Sequence, residues 1–116
     1  ADAQTGLKMN IITNNKLKCT IALAALQQVE DPEIGLNIVD LGLVYQLDFD
    51  ETDMKIFCTM TLTTQFCPMG ESITNAVKQN LQVSFPDYEP LIQLTFDPPW
   101  DHTLISEAGQ DFLNQL

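Results

Sequence analysis

The chain has 116 residues, 45% of them apolar, which is enough for one domain with a core of its own. Five Lys, no Arg and sixteen Asp or Glu give a formal charge of −11. That balance opposes nucleic acid and anionic membrane as partners, since both need clustered cations. No apolar run approaches the roughly 18–20 residues that cross a bilayer. Ala1–Asn10 lacks the charged start and apolar stretch of a signal peptide. Cys19, Cys58 and Cys67 are odd in number and show no CxxC spacing. They read as free thiols of a cytoplasmic protein, not as a disulfide framework or a self-contained zinc site.

Residues 1–15 are polar and aperiodic, so they read as a flexible lead-in. Ala1–Lys8, ahead of Met9, are set apart as foreign to the domain, which is expected over 16–116. From Lys16 to Val29 the apolar positions Ala22, Ala25, Leu26 and Val29 recur at helical spacing. Asn14 or Asn15 is the expected cap, and Asp31-Pro32 the expected stop. Residues 31–42 form a loop with apolar anchors and two glycines, Gly35 and Gly42. Val44–Asp50 then alternates, with Tyr45, Leu47 and Phe49 on one face. A short polar turn leads to a second alternating run carrying Met54, Ile56, Cys58, Met60 and Leu62. Two such runs around a short connection predict a β-hairpin.

Met69, Ile73, Ala76 and Val77 predict a second helix ending near Leu81 or Gln82. Ile92, Leu94 and Phe96 predict a third strand, which Asp97-Pro98-Pro99 cannot continue. Ser106 is the expected cap of a last helix with Ile105, Ala108, Phe112 and Leu116 along one side. The order α-β-β-α-β-α predicts an α/β fold of the α+β type. It has a small mixed three-stranded sheet and helices mainly on one face. The other face, with Phe57, Thr59 and Thr61, is too polar for a second core.

The residues with chemical potential gather around Thr63-Thr64-Gln65-Phe66-Cys67-Pro68, where a strand pattern stops and a helix pattern starts. Free N–H groups at a helix start stabilise an anion, so a thiol there ionises more readily and becomes a nucleophile or metal ligand. Cys67 is therefore the candidate functional cysteine. Cys58, among apolar neighbours, reads as packing, and Cys19 as structural. Thr63 and Thr64 serve strand propensity or donate hydroxyls to a thiolate or ligand, and the residues leave both readings open. Asp40, flanked by Ile38, Val39 and Leu41, either orients its loop or faces Cys67. Asp31 reads as a helix stop, and Glu33 is ambiguous. His102, the only histidine, sits beside Trp100 with nothing in the sequence to bring it to Cys67, which weakens a Cys–His pair. Trp100 is expected to cover one end of the core.

The segments DPEIGLNIVDLGLVY (31–45), MTLTTQFCPMG (60–70) and LTFDPPW (94–100), in this order and at this spacing, resemble the PaaD/SufT-like family of iron–sulfur assembly factors. The resemblance covers residues 16–116. It implies a small α/β domain that assists maturation of iron–sulfur proteins, with Cys67 as the key residue. It also implies that Glu33, Asp40, Thr63 and Thr64 line the same pocket. Phe66 departs from the pattern, where relatives often carry a small residue. There is no Gly-rich phosphate loop like that of the Mrp-like ATPase fusions. There is no C-terminal cysteine cluster like that of PaaD-type members, which favours a stand-alone SufT-like role.

The expected function is thus an accessory factor, non-enzymatic, acting as adaptor or as transient carrier of iron or an iron–sulfur cluster. No cofactor is expected to be held stably. One thiolate supplies only part of the roughly four ligands a cluster needs, so the others would come from a partner or a second subunit, as in a homodimer. Assembly proteins and client apo-proteins are the expected partners. The alternatives are a cysteine-dependent thiol enzyme and an accessory component of an aromatic-ring oxygenase complex.

Overall fold

The computed structural model describes residues 11–64 and 70–115. The elements in chain order are β1 (Ile12–Thr13), α1 (Lys16–Leu26), β2 (Val44–Asp50), β3 (Lys55–Met60), α2 (Gly70–Ser84), β4 (Glu89–Leu94), a 3-10 turn (His102–Leu104) and α3 (Glu107–Asn114). One sheet runs β1-β2-β3-β4. The β2–β3 hairpin is antiparallel, and β1 and β4 flank it in parallel. The fold is therefore two strand–helix–strand units joined through the hairpin, of the expected α+β class.

The strand count is four where three were expected. Ile12 and Thr13 pair with Gln46 and Leu47, and Asn14 continues the docking with its side chain. Its amide donates to the Phe49 carbonyl at 2.9 Å and accepts from the Phe49 N–H at 2.9 Å. Residues 11–15 are thus held by β2, and the flexible reading of the lead-in fails there. Strand pairing through a two-residue segment leaves no periodicity to read. Asn15 is the cap of α1, accepting from the Lys18 N–H at 3.0 Å. The helix stops at Leu26, earlier than Asp31-Pro32 suggests.

Both long helices lie on one face and pack on each other. Leu47, Phe49, Ile56, Cys58 and Met60 from the sheet meet Ala22, Leu23 and Leu26 of α1 and Ile73, Val77 and Leu81 of α2 in one core. Because β1 and β2 are parallel, α1 starts at the hairpin end of the sheet and runs back. By the same logic α2 starts at the opposite end, so the two helices are antiparallel. The hairpin turns through Asp50, whose carboxylate accepts from the N–H groups of Thr52 and Asp53, both at 3.0 Å.

Several facial assignments change. The β2–β3 register shifts between Val44 and Gln46, a bulge that alters side-chain parity. Val44 is buried on the helix side, while Tyr45 reaches out to donate to the Pro98 carbonyl at 2.8 Å. Thr61, expected on the polar face, is fully buried just past β3, its N–H donating to the Leu43 carbonyl at 2.8 Å. Leu94, at the end of the edge strand β4, and Phe96, just past it, remain 43% and 39% exposed. Ile105, just before α3, and Gly109 within it are buried, with Leu113 partly covered; Ala108 and Phe112 are exposed. Gly109 sits close against Leu36 and Ile105, so the helix docks through its smallest residue.

Candidate functional site

The described parts of the three sequence segments singled out above, residues 31–45, 60–64 and 94–100, are far apart in the chain and meet at one end of the sheet. β2 starts there, and β3 and β4 finish there. Thr61 donates to Leu43, and Thr95 donates to the Met60 carbonyl at 2.9 Å, so both pairings continue beyond the strands. The residues after β4 then fold back over the first segment. The Trp100 indole N–H donates to the Leu41 carbonyl at 2.6 Å, and the Ser106 N–H donates to the Asp40 carbonyl at 2.7 Å. Trp100 is part-buried against the core, the covering role expected of it.

The first segment is shaped by its own polar residues. The Asp31 carboxylate accepts from the Glu33 N–H at 2.8 Å, and its carbonyl accepts from Ile34 and Gly35 at 3.2 and 2.7 Å. Asp-Pro-Glu-Ile-Gly is therefore one closed turn, with Gly35 at φ +82°, a conformation glycine adopts at no steric cost. Asp31 is 1% exposed. It builds this turn and does not stop α1, which ends five residues earlier. A second turn follows at Asn37. Its carbonyl accepts from the Leu41 N–H at 3.0 Å, and its side chain accepts from the Asp40 N–H at 2.9 Å.

Asp40 is half-buried, and both its oxygens are engaged. One accepts from the Asn37 amide and the other from the Ser106 hydroxyl, each at 2.7 Å. Ser106 is at the same time the N-cap of α3, accepting from the Gly109 N–H at 3.0 Å. Asp40 thus pins the C-terminal segment onto the loop. Sequence reading missed Asn37 and Ser106 as its partners. The Asn37–Asp40 spacing of three residues is a capping-type signal that pointed to the first.

Glu33 is exposed on the first turn, Thr63 is half-buried and Thr64 exposed. Thr63 and Thr64 follow directly on buried Thr61 and Leu62. Gly70, the first residue of α2, lies so close to Leu62 that a β-carbon on it would meet that side chain at 2.8 Å. Phe66 and Cys67 lie outside the described residues. Cys19 and Cys58 are buried free thiols. Burial pushes the Cys58 thiol up to about 12, with the nearby Cys19 adding to it, and burial also raises Cys19. Both are therefore protonated at neutral pH and poor nucleophiles. His102 is exposed, its ring 5.4 Å from that of Trp100. Among the described residues no three His, Cys, Asp or Glu side chains gather to hold a metal ion. No helix among them is long and apolar enough to cross a membrane.

The pattern of a family described as iron–sulfur cluster assembly protein matches residues 21–89, more than half of the chain. The chain belongs to that family. The match takes in the Asp31–Asp40 turns, the hairpin, the Cys67 segment and α2. Among relatives, the Fe-S protein maturation auxiliary factor YitW of Bacillus subtilis is 41% identical over 89 residues, 76% of this chain and 85% of its own. The Fe-S protein maturation auxiliary factor SufT of Staphylococcus aureus is 40% identical over 85 residues, 71% and 92% of the two chains. The SufT-like resemblance read from the three segments is therefore correct. Among solved structures, a domain of unknown function, DUF59, from Bacillus anthracis superposes with a TM-score of 0.77 at 33% identity. It covers 86% of this chain and 98% of that one.

Proposed function

We propose that this protein is an accessory factor in the maturation of iron–sulfur proteins, acting through Cys67 as an adaptor or as a transient carrier of iron or a cluster. The observation that supports this most directly is the convergence of residues 31–45, 60–64 and 94–100 at one end of the sheet. These distant segments share no strand, yet hydrogen bonds at Leu41, Leu43 and Asp40 tie them together. In the sequence, Cys67 falls between Thr64, which follows β3, and Gly70, which starts α2. The other two thiols are buried and protonated, which leaves Cys67 as the residue for soft-metal or thiol chemistry. Relatives named as maturation auxiliary factors support the same role, with assembly proteins and apo-clients as partners.

A single thiolate holds a cluster only with ligands from elsewhere, so the carrier form draws them from a partner or a second copy. Residues Glu33, Asp40, Thr63 and Thr64 would flank the cargo, with Asp40 acting mainly by positioning. The carrier form is tested by anaerobic reconstitution with iron and sulfide. The expected result is visible absorbance that Cys67→Ala abolishes. If wild type shows none, the adaptor form stands alone. It then has to be seen as Cys67-dependent capture of an apo-client. A Cys67→Ala chain that restores iron–sulfur enzyme activity fully in a deletion strain overturns both forms.

A further inference from the structure

The sheet face opposite the helices is not bare. The segment 97–107 borders it and forms one wall of an open cleft of about 840 Å3, within the size range of small-molecule sites. Its floor is one row of residues across all four strands. Ile12 pairs with Gln46, Gln46 with Thr59, and Thr59 with Gln93, and all four line the space. Leu104 and Ile105 supply apolar surface from the bordering segment, and Asp97 and Glu107 bring carboxylates. Among the described residues no Lys, Arg or His lines it.

The polar groups of the surround divide into two kinds. Some are committed to holding the fold: the Tyr45 hydroxyl to Pro98, the Ser106 hydroxyl to Asp40, and the Gln46 amide to Asp48 at 2.6 Å. The Thr59 hydroxyl and the Gln93 amide have no hydrogen-bond partner among the described residues; they are neighbours on the floor, with Gln93 exposed on the edge strand β4. Here a hydroxyl and two amides face a cleft with an apolar wall.

We propose that this cleft is a binding site for a small organic cation, an amine carrying an apolar body. The body lies between Ile12 and Leu104, the floor offers hydrogen bonds through Thr59 and Gln93, and the carboxylates of Asp97 and Glu107 select the positive charge. Anions are repelled both here and by the chain's charge of −11. The proposal is independent of Cys67, and the two fail separately.

The test is NMR titration of the full chain with phenethylamine and with 3-phenylpropionate, which share a ring and spacer and differ in charge. Phenethylamine is expected to shift the signals of Gln46, Thr59 and Gln93 with a dissociation constant on the order of millimolar, and 3-phenylpropionate to bind at least about tenfold more weakly. The double variant Asp97→Asn with Glu107→Gln is expected to weaken phenethylamine roughly fivefold. Gln93→Lys, on an exposed position, should abolish amine binding and admit 3-phenylpropionate. Equal binding of the two probes, shifts that map elsewhere, or no shifts in the wild-type chain overturn the proposal.

Discussion

The Ser106 hydroxyl donates to the Asp40 carboxylate at 2.7 Å, joining residues 66 positions apart. The same serine caps α3, so one side chain starts a helix and anchors it to the loop it covers. Asp40→Ala leaves the hydroxyl and the Asn37 amide without their acceptor, and it is expected to cost about 1–3 kcal/mol. Ser106→Ala removes cap and tether together, at about 1–2 kcal/mol. Urea unfolding of both single variants and the double should show the losses to be non-additive, because the two residues are in contact. Strict additivity would mean that the bond contributes nothing.

Gly35 and Gly42 make a controlled comparison. Both have positive φ, +82° and +79°. A β-carbon at Gly35 meets open space, whereas at Gly42 it runs into the backbone of Leu104 and approaches the Leu104 β-carbon at 2.8 Å. Gly35→Ala should therefore cost only the conformational term, about 1 kcal/mol. Gly42→Ala should cost more than about 2 kcal/mol by adding displacement of the covering segment. Thermal unfolding of the two variants checks the ranking.

Lys18, Glu51 and Tyr88 form a closed surface triad linking α1, the hairpin turn and the α2–β4 loop. Lys18 donates to Glu51 at 2.5 Å and to Tyr88 at 2.7 Å, and the Tyr88 hydroxyl donates to Glu51 at 2.6 Å. The hydrogen bond from Lys18, then that from Tyr88, holds the Glu51 carboxyl below its ordinary 4.5. The stability it adds is present above that value and is lost as pH falls through the lowered one. Glu51→Gln should therefore melt earlier than wild type at pH 7, with the gap closing in acid. Lys18 is raised above its ordinary 10.5, chiefly by Glu51, so its share is lost only as pH rises beyond that.

Thiol labelling separates the three cysteines. In the native chain at pH 7, iodoacetamide should leave Cys19 and Cys58 unmodified, because both are buried and raised. Cys67 is expected to take the label first. Mass spectrometry of peptides after brief labelling reads this directly, and prompt modification of Cys58 would contradict its burial. For Cys58, folding favours the thiol, so its contribution is intact below the ordinary 9.0 and fades as pH climbs toward about 12.

Periodicity revealed the hairpin, both long helices and the Ser106 cap, because each repeats an apolar spacing over several residues or places a cap at a boundary. It could not reveal β1, whose two residues are held by pairing to β2 and by the Asn14 side chain. Nor could it place Tyr45, since a bulge reverses side-chain parity without leaving a mark in composition. In α3 a glycine provides the contact surface where larger residues look more suitable, so Ala108 and Phe112, which the spacing places inward, lie outward. Around Asp40, Asn37 was within reach of a local capping-type spacing, whereas Ser106, 66 positions away, becomes a partner only once tertiary folding brings it there.

Trp100 is the chain's only tryptophan, and its indole is bonded to Leu41 beneath the covering segment. Selectively excited tryptophan fluorescence therefore samples a single location, the seam where the C-terminal residues close over the first turns. A red shift at denaturant concentrations too low to disturb the circular dichroism of α1 and α2 would report that seam opening first. The protein thus carries a built-in optical gauge for the end of the molecule where its chemistry is proposed to occur.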